Sequence, residues 1–146
     1  MHVAGIGERL SAHEHLPEWA AVLVIPRQCC PTPEIFRAYK DSGQNFSAPA
    51  SVPEDLGDRQ EFLDFLKRQQ NDLELTAIEK LPAIRDVSTA LKQTEDVQLV
   101  RMSGSGATVF ALYPTPESAQ RAAELLQSTR PHWWVRACTL NRVVRY

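Results

Sequence analysis

The sequence predicts an α+β domain on the ferredoxin-like split βαβ plan, an antiparallel sheet with helices packed on one face. Two observations carry this prediction. Apolar runs and amphipathic segments follow one another in the order strand, helices, strand, strand, helix, strand. The tripeptide Thr-Pro-Glu occurs twice, at Thr32 and at Thr115, and each copy follows an apolar run and opens an amphipathic one. The first crossover is long enough to hold an extra helical hairpin.

The elements follow from local chemistry. Trp19-Ala-Ala-Val-Leu-Val-Ile25 is a continuous apolar run ended by Pro26, the pattern of a strand buried on both faces. Thr32 suits a helix cap, Pro33 the first helical position and Glu34 the positive end of the dipole, so a short helix runs to about Lys40. Residues 41–57 are rich in Ser, Pro, Gly and Asn and read as one long loop. Asp58 and Glu61 have capping-box spacing ahead of a helix with Phe62, Phe65 and Leu66 on one face. Asn71 and Glu74 repeat that spacing before a helix carrying Leu73, Ala77 and Leu81. Pro82 then begins or kinks a helix with Ile84, Val87 and Leu91 on one side. Strands are expected at 97–102 and 107–112. Thr115-Pro116-Glu117 opens a helix whose Ala119, Ala122, Ala123 and Leu126 face inward. Residues 131–138 make a last strand, and 140–146 a further edge.

At 146 residues the chain is expected to form one domain, 1–146, with no need of a disulfide or metal staple. A net charge of −2 speaks against nucleic acid or an anionic membrane surface as partner, since both demand a basic patch. The longest apolar run, Ala20 to Ile25, falls far short of the roughly 20 residues of a membrane span. A basic stretch followed by an apolar one is missing at the N-terminus, so a cytoplasmic protein is expected. Three cysteines, two of them the adjacent Cys29 and Cys30, fit reduced thiols.

Between the two middle strands lies Met102-Ser-Gly-Ser-Gly-Ala-Thr108. Gly104 and Gly106 permit positive φ, which a tight strand-to-strand turn requires. The same small residues also let backbone N–H groups approach an anion, with Ser103, Ser105 and Thr108 adding hydroxyls. The stretch has no Gly-Lys-Ser/Thr and leads into a strand, so it is neither a Walker loop nor a dinucleotide-binding turn. Hairpin and phosphate loop both remain open on these residues alone.

Other chemistry is weaker. His13-Glu14-His15, even with Cys29 and Cys30, lacks the closed ligand set of a structural metal site and is expected to be surface strand. Trp133 and Trp134 divide between core and surface, and an exposed one would mark a docking face. The aromatic pattern and basic charge of an RNA-binding sheet are both missing.

Four segments in order, Gly5-Ile-Gly-Glu8, Pro31-Thr-Pro-Glu-Ile-Phe36, Asn71-Asp-Leu-Glu74 and Met102-Ser-Gly-Ser-Gly-Ala-Thr-Val-Phe110, resemble motifs of the galactokinase, homoserine kinase, mevalonate kinase and phosphomevalonate kinase superfamily. Within it the resemblance is to the 4-diphosphocytidyl-2-C-methyl-D-erythritol kinase family of non-mevalonate isoprenoid (terpenoid) biosynthesis. It implies a C-terminal lobe only. On this resemblance the N-terminal ATP-binding lobe is expected to be absent, Met1 marking a cut chain or a truncated reading frame, and no residue here matches the catalytic Asp or Lys. It also implies that Thr32 and Phe36 line the pocket for the cytidine end of the substrate. The loop Ser103, Gly104, Ser105, Gly106, Ala107 and Thr108 would close over the phosphate-transfer region. Asn71 and Asp72 match a family motif, although the capping spacing accounts for Asn71 on its own. ATP and Mg²⁺ would serve the full-length enzyme, with neither bound tightly by this lobe and no metal site in it. CDP-methylerythritol, shared with the N-terminal lobe, would be the ligand, and the lobe alone is expected to be inactive. The alternative is a free-standing ferredoxin-like module that binds a small ligand or a partner without catalysis.

Overall fold

The computed structural model of the chain describes residues 2–4, 9–11, 17–28, 32–43, 58–104 and 106–140. A short antiparallel hairpin pairs β1 (His2–Ala4) with β2 (Arg9–Ser11), with Val3 opposite Leu10. Three-residue strands are too short to show a period of two, which is why the sequence gives no sign of them.

The main sheet holds β3 (Trp19–Ile25), β4 (Leu99–Met102), β5 (Val109–Tyr113) and β6 (Trp134–Leu140) in the order β4-β5-β3-β6, all antiparallel. That is the order of the split βαβ plan, and the ferredoxin-like architecture expected from the sequence is the one observed. Among the described residues four helices occupy the first crossover: α1 (Thr32–Asp41), α2 (Arg59–Arg68), α3 (Glu74–Lys80) and α4 (Ala83–Lys92). The second crossover is α5 (Pro116–Thr129). The expected edge at 140–146 and the loop at 44–57 lie outside the described residues.

Alternation along the strands sorts the core into two layers. Ala20, Val22 and Val24 of β3, with Val109, Ala111 and Tyr113 of β5, point to one face and pack with α1, α3, α4 and α5. Trp19 and Ala21, with Leu99 and Leu112, point the other way and meet Phe62, Leu63 and Phe65 of α2. Four helices thus cover the face the plan prescribes. The swollen crossover sends α2 round to the opposite face, so β3 is buried on both sides. That is why β3 reads as an unbroken apolar run rather than an alternating one. Each fully buried aliphatic side chain here, such as Val22, Ile84 or Leu91, contributes about 1.5–3 kcal/mol over an exposed one.

Helix ends obey the chemistry read from the sequence at two places. The Asp58 carboxylate accepts from the Glu61 N–H at 3.0 Å and caps α2. Thr115 accepts from the Ser118 N–H at 3.1 Å while the Thr115 N–H donates to the Ser118 hydroxyl at 3.3 Å, a full capping box on α5. Trp19 lies under the Arg59 guanidinium, 4.2 Å from its ring centroid, and Arg59 donates to the Pro114 carbonyl at 2.8 Å. This fastens the start of α2 to the outer face of the sheet.

Candidate functional site

The loop between β4 and β5 begins where the pair Met102 and Val109 ends. The Ser103 N–H donates to the Thr108 carbonyl at 2.8 Å, and the Gly106 N–H donates to the Ser103 carbonyl at 3.1 Å. Gly104 has φ +58° and Gly106 φ +98°, both in the region where a side chain is strained. A Cβ built on Gly104 would meet nothing within 4 Å. Glycine is therefore demanded at 104 by the backbone and not by crowding, and the space above the loop is open. Among the described residues no hydrogen bond engages the N–H of Gly104 or of Ala107. The turn closes on the amides of Ser103 and Gly106 and, among the described residues, leaves those of Gly104 and Ala107 without a hydrogen bond. Ser103 and Gly104 are exposed, Gly106 and Thr108 half-buried and Ala107 buried, while Ser105 lies outside the described residues.

What holds the loop comes from a different part of the chain. The Asn71 Nδ2 donates to the Met102 carbonyl at 2.9 Å and to the Gly104 carbonyl at 2.7 Å. Its Oδ1 accepts from the Leu73 N–H at 3.1 Å. The Glu74 Oε1 accepts from the Met102 N–H at 3.2 Å. The capping box expected at Asn71 and Glu74 does not form. The residue at the start of α3 is Leu73, with helical dihedrals and no side-chain cap. Asn71 is satisfied instead by three backbone groups, two of them in the glycine loop. A carboxamide carries both donors and an acceptor, so one side chain can tie a loop to a helix entry in a way no serine or aspartate can.

Helix α1 abuts this clamp through Tyr39. That side chain is 3 % exposed, and its phenol is pushed above its ordinary value first by burial and second by the charge of Asp72. Thr32 is exposed and forms the first residue of α1, one position after the place of the cap expected of it. Phe36, four residues on and so on the same side of the helix, is half-buried against the main core. Tyr39 then connects α1 to the segment that grips the glycine loop. Nothing in the sequence pattern marks Tyr39, and Glu74 reads only as the far half of a capping spacing. Asn71 is marked, but its spacing to Glu74 imitates a local cap.

Other candidates fall away or lie elsewhere. His13, His15, Cys29 and Cys30 are outside the described residues, and among those described no three His, Cys, Asp or Glu side chains gather as metal ligands would. Cys138 is half-buried and its thiol is pushed up by burial, so it stays protonated near neutrality. Trp133 is 3 % exposed and Trp134 half-buried beneath Arg136, 5.5 Å from its ring centroid. Neither is the exposed docking tryptophan the sequence allowed. The large exposed apolar side chain next to the clamp is Leu75, at 73 %.

Comparison with known proteins adds to this geometry. Residues 51–131 match the family model described as GHMP kinases C terminal. The chain is similar to 4-diphosphocytidyl-2-C-methyl-D-erythritol kinase of Roseobacter denitrificans, 38 % identical over 139 residues, covering 95 % of this chain and 46 % of that protein. It is similar to the protein of the same name from Caulobacter vibrioides, 43 % identical over 140 residues, covering 94 % of this chain and 48 % of that one. A crystal structure of 4-(cytidine 5'-diphospho)-2C-methyl-D-erythritol kinase superposes with a TM-score of 0.70 at 31 % identity, over 92 % of this chain and 47 % of that one. The chain spans about half the length of the curated relatives it matches.

Proposed function

The chain belongs to the GHMP kinase C-terminal family, and from that premise we propose that it is the C-terminal lobe of an ATP-dependent kinase phosphorylating 4-diphosphocytidyl-2-C-methyl-D-erythritol on its 2-hydroxyl. The observation that carries this reading is the glycine loop. It is held rigid by Asn71 and Glu74, it faces open space, and it keeps two amide donors uncommitted.

Phosphoryl transfer depends on positioning and on stabilising charge spread over the transferred group's oxygens. Amides fixed in advance do this at no reorganisation cost at the moment of reaction. The loop would place the Gly104 and Ala107 N–H groups beside a phosphate oxygen, with the Ser103 and Thr108 hydroxyls nearby. These donors are neutral and fit an anionic oxygen. A magnesium ion takes oxygen ligands such as carboxylates, which the described part of the loop lacks, so Mg-ATP would be held by the other lobe. Bound Mg²⁺ would neutralise charge on the phosphates. On α1, Phe36 would stack on the cytosine ring and Thr32 would offer a hydroxyl to its polar edge. The 146-residue chain would work as one domain in the cytoplasm against an N-terminal lobe, with no nucleic acid or membrane partner. Among the described residues no helix is long and apolar enough to cross a membrane.

The test is reconstitution. The chain alone is expected to show no turnover of CDP-methylerythritol with Mg-ATP, and mixing it with the N-terminal half of the Caulobacter relative is expected to restore turnover. Phe36→Ala and Thr32→Ala should then raise KM for the substrate, while Gly104→Ala should lower kcat. Turnover by the chain alone, or substrate binding with no turnover in the reconstituted pair, would overturn the reading, the second outcome in favour of a non-catalytic binding module.

A further inference from the structure

A second site lies across the sheet from the glycine loop. Ile25 pairs with Trp134 and Val24 with Val109, so the residues after β3, those before β6 and the glycine loop all emerge at one end of the sheet. Strand β3 separates the β6 side from the loop by about two strand spacings, ~10 Å. On the β6 side the length of α4, the residues between α5 and β6 and those after β3 line an open surface cavity of about 320 Å³, sharing no residue with the loop or its clamp. That volume is at the small end of pockets that hold organic ligands.

The lining is unusual for this chain. Arg85, Arg130 and His132 converge on it against a single carboxylate, Asp86, in a protein whose net charge is −2. Neither guanidinium has a carboxylate within ion-pair distance among the described residues, whereas Arg121 is paired with Asp96 at 3.6 Å. The neutral donors Gln28, Thr89 and Gln93 line the same cavity, and no described hydrogen bond engages their side chains. Arg130 is held in advance. Its guanidinium lies 5.4 Å from the centroid of the buried Trp133 ring, and the Trp133 carbonyl is tied by the Gln127 amide at 3.0 Å. His132 meets the same ring edge-on, with centroids 5.9 Å apart.

Two unpaired guanidiniums and an imidazole facing a cavity with spare amide and hydroxyl donors match the acceptor-rich, doubly charged surface of a phosphate group. We propose that this cavity binds a small phosphate-bearing anion at a site separate from the glycine loop. The ligand is held by Arg85 and Arg130 through paired N–H donors, with His132, Thr89 and Gln93 completing the contacts. Trp133 forms the floor and fixes Arg130.

The test uses the 146-residue chain and two probes, orthophosphate and glycerol phosphate, titrated by calorimetry at low ionic strength. Saturable binding of one equivalent is expected. Tighter binding of orthophosphate identifies the free ion as the ligand, and tighter binding of glycerol phosphate identifies an ester. Arg85→Gln is expected to weaken binding at least fivefold and the pair Arg85→Gln with Arg130→Gln at least twentyfold. Arg121→Gln, which removes an equal charge elsewhere on the surface, should leave it unchanged. Arg85 is exposed, so its variant reports on the site even if loss of Arg130 disturbs Trp133. Lack of saturable binding, or an Arg121→Gln effect equal to that of Arg85→Gln, overturns the proposal. The glycine-loop variant Gly104→Ala should not alter this binding, so failure here and failure of the kinase reading are separate results.

Discussion

Asp58 with Glu61 and Asn71 with Glu74 have the same spacing, each ahead of an amphipathic segment, and they do different things. Asp58 turns its oxygen onto the helix that follows, at 3.0 Å from the Glu61 amide. Asn71 turns its amide group away from its helix onto carbonyls 31 and 33 residues further along the chain. A carboxylate only accepts, and the nearest free N–H groups are those of its own helix start. A carboxamide also donates, and carbonyls at a helix N-terminus are already engaged, so its donors look elsewhere. The partner it finds is the loop that, among the described residues, has glycine at two positive-φ positions.

The contrast can be broken from its strong side first. Asn71→Ala removes three hydrogen bonds at once and leaves the Met102 and Gly104 carbonyls without this donor. A loss of about 2–3 kcal/mol is expected in urea unfolding. The Ser103 amide should also lose hydrogen-exchange protection. Gly104→Ala tests the loop from the other end. The site has room for a methyl group but not the right φ, so about 1–2 kcal/mol should be lost, with the clamp hydrogen bonds intact. Asp58→Ala deletes one local cap, and about 1 kcal/mol should go, without any change in exchange at Ser103. If Asn71→Ala costs no more than Asp58→Ala, the two motifs are equivalent after all.

The smallest effect is expected from Tyr39→Phe near neutral pH. Because burial and Asp72 raise the folded phenol above its ordinary value, the unfolded chain releases its proton first as pH climbs. The stability this group contributes is full below about pH 10 and is lost as pH rises through the folded value. Tyr113, raised by burial against the opposing effect of its Thr94 hydrogen bond, acts in the same direction. Unfolding curves of Tyr39→Phe should therefore fall less steeply than those of the parent above about pH 10. An identical slope would show that the Tyr39 phenol is not raised in the folded chain.

Strand β3 was legible to the residue, because a seven-residue apolar run stopped by proline has one reading. The inward face of α5 and the caps at Asp58 and Thr115 were equally plain, since each depends on residues within one turn. The sheet order followed from the sequence of elements. Three features were not legible. The side of the sheet taken by α2 depends on where a long connection returns, which no local pattern encodes. The β1–β2 hairpin is too short to have a period. The clamp joins positions about thirty residues apart and copies a local motif in doing so. The resemblance to the superfamily marked Asn71-Asp-Leu-Glu74 as a unit, and the clamp gives that unit a physical task.

The position of β3 also governs the order in which the domain can be assembled. Val22 pairs with Ala111 on one side and Ala137 on the other, both in the final third of the chain. A ribosome therefore releases the central strand long before either neighbour exists, and seven consecutive apolar residues wait with both edges bare. Closing loops of that length precedes any reward from pairing, so slow folding of high contact order is expected despite the helical content. A chain halted anywhere before β6 would keep one edge of β3 unpaired, a template for self-association.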